Sequence, residues 1–382
     1  MNCRICTSPT EEIFSLGRLP LVNNLLDSPT QDYEEYPLDV MFCPSCHLGQ
    51  IKEIVPPSKM FEEYVYYSSV SSPIVESAKE LVSNLWWTLP HDAFVMEIGS
   101  NDGYLLQFYN DMGTRVLGID PARGPANAAA LKGIPTIQEY FTSVLAKTLP
   151  PADIIHANNV VAHIPDLHDL AEGIAIVLKP EGACVIEVHY LKSLLESCTF
   201  DTVYHEHVYY FSFRSLETLF RRHGLFIERV KLLDSQGGSL RLTLKKTGAS
   251  CDIVENIPLV GIQQRIDRTA GELRAFLEKL HHDDARVWGF GAAAKATVMM
   301  NYCGITSDLI EAIADPTPAK LGKFIPGTGV EIKHPTEWLD AQPDYTCIFA
   351  WNYADVIKAR YAKDYKGKFF TPYSLPAIGI SA

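Results

Sequence analysis

What is absent from this sequence narrows it first. No run of ~18 apolar residues occurs along the chain, so no membrane span is expected. Cations are in the minority: 33 Lys and Arg against 46 Asp and Glu leave a net charge of −13. That excess argues against a nucleic-acid partner, whose backbone demands clustered Lys and Arg. The opening MNCRICTSPT has no apolar core of a secretory signal. There is no low-complexity tract and no short-period repeat. The H-E-x-x-H pattern of zinc hydrolases and the G-x-G-x-x-G dinucleotide turn are both missing.

What is present suits a folded chain of several domains. Apolar residues make up 47% and aromatics 10%, and 382 residues exceed one ordinary core, so two to three domains are expected. Nine cysteines without a secretory signal point to a reducing cytoplasm, where thiolates bind metals more often than they pair. Four of them form two C-x-x-C knuckles, Cys3 and Cys6 in CRIC, Cys43 and Cys46 in CPSC. Four soft thiolates close a tetrahedral Zn²⁺ site with no position left for water, which predicts a structural zinc in a small lobe. Cys184, Cys198, Cys251, Cys303 and Cys347 are scattered and read as inert.

The run 93-AFVMEIGSNDGYLLQFY-109 reads as a buried strand, a tight Gly-rich turn and an apolar helix. Glycine lets backbone approach a ligand closely, so such turns hold cofactors at the carboxyl end of a strand. A second strand ends in Asp120, placed to accept both hydroxyls of a ribose. Strand patterns at 153-DIIHANNVVAHI-164 and 182-GACVIEVHYL-191 enclose a helix at 166-DLHDLAEGIAIVLKP-180. Further on, 263-QQRIDRTAGELRAFLEKL-280 reads as an amphipathic helix within a span from about Asn256 to Lys279. Then 285-ARVWGFGAAAKATVMMNY-302 repeats strand, Gly-rich turn and helix, and a helix N-terminus of that kind binds phosphate. Gly291 and Lys295 stand at this turn, and Lys320, Asn352 and Tyr353 follow later strands, so a second α/β domain with a ligand at its strand ends is expected.

The most unusual stretch is 201-DTVYHEHVYYFS-212, two histidines around one glutamate among tyrosines. His changes charge near neutral pH, Glu can orient it, and Tyr can donate to an oxyanion. The mix suits removal of a proton beside a carbonyl. A hydrogen-bonded polar cluster in a loop accounts for the same residues equally well.

The chain as a whole resembles the nucleotide-sugar C-methyltransferases that act on carbon 3 of 4-keto-deoxy-hexoses. The resemblance is carried by CRIC…CPSC, 64-YVYYSSVS-71, the E-x-G-x-x-x-G turn, 158-NNVVAHI-164, 199-TFDTVYHEHVYYFS-212, 235-SQGGSLRL-242 and 288-WGFGAAAKATVMMNY-302. It implies an α/β architecture: a four-cysteine zinc-binding lobe over 1–70, a class I S-adenosylmethionine (SAM) methyltransferase domain, Rossmann-like, over 71–255, and a second Rossmann-like domain over 256–382 that binds the nucleotide. It also implies SAM held by Glu97, Gly99, Asn101, Gly103, Asp120, Phe141 and Asn158. His207 becomes the expected base, Tyr204 the alternative base or proton donor, and Glu206 the residue that sets the tautomer of His207. His163 is placed to stabilise the enolate oxygen, and Tyr66 or Tyr67 to cover the sugar. Gly291, Lys295, Lys320, Asn352 and Tyr353 would bind the rest of a TDP- or GDP-linked substrate. His205 is expected only to pack, and His189 stands where the resemblance leads one to expect proline. An NAD-dependent nucleotide-sugar oxidoreductase or epimerase using the G-F-G-A-A-A-K turn, and a C-methyltransferase for a non-sugar ketone, remain as alternatives. So does a non-catalytic zinc adaptor. Oligomeric state, monomer or dimer, is open.

Overall fold

A computed structural model describes residues 1–56, 58–61, 67–234 and 237–376. The chain opens with an antiparallel meander, β1 (Glu11–Pro20), β2 (Glu35–Phe42) and β3 (Gly49–Ile51). Leu38, Val40 and Phe42 alternate along β2 and bury on one face, as the period of two requires. The meander draws its fourth strand from far along the chain, as described below.

The middle of the chain builds a second sheet from β4 (Phe94–Ile98), β5 (Arg115–Ile119), β6 (Thr136–Ile137), β7 (Ala152–Asn158) and β8 (Leu178–His189). Strand β9 (Tyr209–Tyr210) leaves this sheet and pairs with β3, and β10 (Phe226–Leu233) and β11 (Ser239–Lys245) return to it. The order is β10-β11-β8-β7-β4-β5-β6, with β11 antiparallel to both neighbours and the other pairings parallel. Every residue of β4 is buried, as expected for a central parallel strand covered on both faces. The helix predicted over 166–180 runs Leu167–Val177, capped by the Asp166 carboxylate, which accepts from the backbone N–H groups of His168 and Asp169 at 3.1 and 3.0 Å.

The last third forms a parallel sheet from β12 (Val287–Phe290), β13 (Ala312–Ala314), β14 (Glu331–Lys333), β15 (Tyr345–Ile348) and β16 (Lys368–Phe370), ordered β14-β13-β12-β15-β16. The helix before it spans Ile262–His282, shorter at its start than the sequence pattern from Asn256 suggested. Gly261, in the left-handed region, turns the chain into it. Among the described residues no helix is long and apolar enough to cross a membrane.

Both α/β sheets have a topological switch point, between β4 and β7 in one and β12 and β15 in the other. The strand order reverses there and leaves a crevice outside the carboxyl ends. The two crevices open into one cavity of about 820 Å³. The N-terminal meander bridges the far side: Leu26 and Phe324 exchange backbone hydrogen bonds of 2.9 and 2.8 Å, and Lys323 meets Asp27 at 2.9 Å. Asp201, fully buried, accepts from Trp351 Nε1 at 2.7 Å and from the Tyr373 hydroxyl at 2.6 Å, tying the last sheet to the middle one. Replacing it, Asp201→Ala, leaves two donors without an acceptor and should cost about 2–4 kcal/mol. Calorimetry should show a lowered Tm, with circular dichroism unchanged below the transition.

Candidate active site

At the first switch point β4 delivers Gly99 with φ +69°, and a Cβ there would stand 2.5 Å from Val160 Cγ2. The backbone N–H groups of Asn101 and Ala122 both donate to the Asp120 carboxylate at 2.8 Å, one to each oxygen. Asp120 is thereby fixed in orientation with lone pairs left over toward the cavity it lines. Of the residues expected to hold the cofactor, Gly99, Asn101, Asp120, Phe141 and Asn158 line the cavity. Glu97 and Gly103 do not. Gly103 (φ +75°) is needed because a Cβ would meet Ile134 Cδ1 at 2.5 Å, and Glu97 is completely buried beneath the turn. Burial, with the charges of Asp120 and then Asp102 beside it, drives the Glu97 carboxyl well above its ordinary pKa, although the Tyr104 phenol favours its charged form.

The cavity also offers unpaired acceptors. The amide oxygens of Asn158 and Asn159, which line it, are buried without partners among the described residues. A ligand bearing an ammonium and a sulfonium satisfies that set, and a ribose diol suits Asp120. Phe141 and Tyr140 provide an aromatic wall beside them. These residues fit SAM. The segment entering the helix Ser72–Trp86 closes over the same turn: Ser68 N–H donates to Asn101 Oδ1 at 2.8 Å, and the Ser69 hydroxyl donates to Asp102.

The Y-H-E-H stretch reaches the same cavity. Tyr204, Glu206 and His207 line it, together with His163 from the turn after β7 and His189 from the end of β8. Nδ1–H of His207 donates to the Thr202 carbonyl at 3.0 Å, so Nε2 is the basic nitrogen, and the Tyr204 hydroxyl donates to it at 2.9 Å. The tautomer is thus fixed by a backbone carbonyl, not by Glu206. The Glu206 carboxylate instead accepts from the Asn23 amide at 2.6 Å. This corrects the sequence expectation: residues 204–207 form a turn closed by the His207 N–H on the Tyr204 carbonyl at 2.9 Å, and within it Glu206 turns toward the N-terminal lobe while His207 turns to Thr202. Burial pushes Glu206 up to about 7, while the Asn23 amide pulls the other way. The His163 and His189 rings lie 4.9 and 4.8 Å from that of His207. Burial holds all three imidazoles neutral, His163 down to about 4 and His189 to about 3. His205 is buried away from the cavity, bonded to the Tyr36 carbonyl at 3.1 Å.

At the second switch point Lys295, Lys320, Asn352 and Tyr353 line the cavity, with Ala293 and Ala294 at the uncapped start of the helix Ala294–Tyr302. Lys295 Nζ donates to Asn352 Oδ1 at 2.8 Å and sits 4.4 Å from the centre of the Trp351 ring. Burial lowers the Lys295 ammonium to about 8, against the pull of Asp201. Lys320 donates to the Ala292 carbonyl at 2.8 Å and braces the turn. Gly291 lies outside the cavity, and a Cβ on it would meet Ala350 Cβ at 2.7 Å. Close packing therefore accounts for this glycine without a dinucleotide. Tyr67 is half-buried and does not line the cavity, and Tyr66 lies outside the described residues. Sequence reasoning missed Asn23, Asn159, Thr202 and Ser68, since nothing local marks a residue that acts through a contact with a distant segment.

The four cysteines converge. All their sulfurs lie within 4.8 Å of one another, with Cys3–Cys46 at 3.5 Å and Cys6–Cys43 at 3.4 Å. A ZnS₄ tetrahedron has sulfur–sulfur edges of about 3.8 Å. Each knuckle ends in a left-handed residue, Thr7 at φ 64° and His47 at φ 62°, whose N–H returns to the carbonyl of the first cysteine at 3.0 and 2.7 Å. The residues fit a structural zinc. Beyond the knuckles, β3 pairs with β9, Gly49 opposite Tyr210 and Gln50 opposite Tyr209, immediately after the Y-H-E-H stretch.

Strand order, the Asp120 turn and the acceptor-lined cavity define a class I SAM-dependent methyltransferase with a zinc-binding lobe. Family models agree along the chain: a zinc binding domain matches residues 3–61, a methyltransferase domain 74–230 and a C-methyltransferase C-terminal domain 249–374. The C-methyltransferase NovU of Streptomyces niveus is 31% identical over 408 residues, which cover 100% of this chain and 97% of that protein. The chain belongs to this C-methyltransferase family. An uncharacterized methyltransferase of Mycobacterium leprae is 28% identical over 114 residues, 28% of this chain and 42% of its own. Among solved structures, the magnesium protoporphyrin IX methyltransferase of Synechocystis PCC 6803 with bound SAM is 14% identical. It covers 45% of this chain and 79% of its own at a TM-score of 0.36, too slight a likeness to add to the strand order.

Two outcomes follow. The variant Cys43→Ser should lose the single bound zinc by elemental mass spectrometry and lose methyl transfer with it, because β3 no longer steadies β9. Glu206 holds its proton to about pH 7 in the folded chain and releases it near 4.5 when unfolded. Its contribution to stability is therefore complete below pH ~4.5 and is lost as pH rises to ~7. Relative to wild type, Glu206→Gln should gain about 3 kcal/mol between those limits in denaturant titrations.

Proposed function

We propose that this enzyme methylates carbon 3 of a TDP- or GDP-linked 4-keto-deoxy sugar in deoxysugar biosynthesis. One observation carries the reading: a single cavity joins the SAM crevice, the Tyr204–His207 pair and a lysine-flanked helix N-terminus. A nucleotide sugar needs the last of these for its diphosphate, and the ketone needs the second. In this reading the chain has three working units, 1–70 for zinc, 71–255 for SAM and 256–382 for the nucleotide.

The diphosphate lies against the N–H groups at Ala293–Lys295 and the Lys295 ammonium, with Asn352 and Tyr353 beside it. That places the sugar toward His163, His189 and His207. The ketone acidifies the hydrogen on carbon 3. Tyr204 takes this proton on its phenol oxygen while its own proton passes to Nε2 of His207, leaving an enolate and an imidazolium. The hydrogen bond from Tyr204 to His207 supports this relay, with Tyr204 as the base and His207 as the store for the proton. Gly99, Asn101, Asp120, Phe141 and Asn158 would hold SAM, which would supply an electrophilic methyl to carbon 3 and leave as S-adenosylhomocysteine. The imidazolium of His207 then releases its proton to water.

The test is mass spectrometry of the protein incubated with SAM and TDP- and GDP-linked 4-keto-6-deoxy-hexoses. The reading expects a product heavier by one methylene from one nucleotide series. No product from either series, with SAM still bound, would move the substrate to another ketone. In the productive series, Lys295→Ala should raise KM about tenfold or more and leave SAM affinity unchanged.

A further inference from the structure

The cavity holds three neutral imidazoles, and each has only one N–H to give. His207 gives its own to the Thr202 carbonyl. His163 gives its own to the backbone carbonyl of Glu206. His189 ends β8 at the cavity wall, beside His207 and on the side of the Lys295 charge, and makes no hydrogen bond to any described residue. Among the described residues its ring is therefore the imidazole lining the cavity whose N–H is uncommitted.

The geometry points to His189 as the residue that donates a hydrogen bond to the substrate's ketone oxygen, and that holds the charge which grows there as the enolate forms. The assignment rests on the keto-sugar reading above and goes beyond it. It moves the role expected of His163 to a residue whose chemistry is otherwise unused. Three facts support it. His189 is the last residue of β8, opposite Ser239 on β11, so its backbone is fixed in a sheet and its ring has little freedom to retreat. Its ring lies 4.8 Å from that of His207, feels the Lys295 charge and lines the same cavity as both, so it shares one chamber with the proton store and the site proposed for the diphosphate. Burial keeps it neutral, and a neutral imidazole polarises a carbonyl without handing over its proton, so the enolate is stabilised and not quenched. The atoms balance with the step already given: the carbon-bound proton goes to Tyr204, the electron pair to the oxygen, and the His189 N–H only donates a hydrogen bond.

The test compares His189→Leu and His189→Phe, which remove the donor, with His189→Gln, which restores an N–H. Deuterium wash-in from solvent at carbon 3 without SAM reports enolisation alone, and kcat and KM report the full reaction. Loss of a donor to an oxyanion predicts a fall of about 100-fold in both kcat and wash-in for the leucine and phenylalanine variants. KM and SAM affinity should stay within about threefold, and glutamine should recover part of the rate. The phenylalanine variant keeps a ring at the site should leucine fail to bind SAM. Wild-type rates of wash-in and turnover in either donor-free variant that binds SAM would overturn the assignment. So would a loss seen only in KM. If wild type itself neither exchanges nor methylates any 4-keto sugar, the substrate reading has failed, and His189 falls with it for that separate reason.

Discussion

The pairing of β3 with β9 is the constraint on which the rest of the site depends. Gly49 and Gln50 lie opposite Tyr210 and Tyr209, Ile51 N–H reaches the Val208 carbonyl at 3.0 Å, and Val208 N–H reaches the Ala162 carbonyl at 2.8 Å. The stretch that carries Tyr204, Glu206 and His207 is thereby clamped between a zinc-closed lobe and the switch point of the SAM sheet. Gly49 lets the strands approach closely there, since a Cβ would stand 3.1 Å from Tyr210 Cβ. The lobe buries Phe14, Leu16, Leu38, Val40 and Phe42, and four thiolates on one cation would add rigidity at the end where the knuckles meet. A zinc held there would act on the site at a distance, through backbone.

The same lobe reaches the reaction a second time. Its loop between β1 and β2 places Asn23 on Glu206 and seats Leu26 and Asp27 against the last sheet. Three parts of the chain therefore close one cavity, and none of them contains a complete site. A chamber lined by three neutral imidazoles is short of N–H donors. Which donor is spent on backbone, and which is kept, decides the chemistry.

Much of the architecture is legible in the sequence because it is local. The buried run of β4, the glycines after it, the acid ending β5 and the Asp166 cap each declare themselves within a few residues, and the two C-x-x-C knuckles announce a metal whatever lies between them. Glycines are less informative than they look. Gly99, Gly103 and Gly291 all read as ligand contacts in the sequence, but only Gly99 lines the cavity. The other two make room for Ile134 and Ala350, and a sequence cannot tell a glycine that admits a ligand from one that admits a neighbouring side chain.

The sequence by itself determined the strand-turn-helix units, the metal ligands and the kinds of side chain available for proton transfer, since these follow from periodicity, turn chemistry and donor type. Tertiary structure alone decided their partners. Thr202 and not Glu206 fixes the tautomer of His207, Glu206 turns to Asn23 across 183 residues, and the His189 ring has no hydrogen-bond partner among the described residues. Hydrogen bonds reach about 3 Å, and the segments that meet at that distance are set by how sheets pack, which no local pattern encodes.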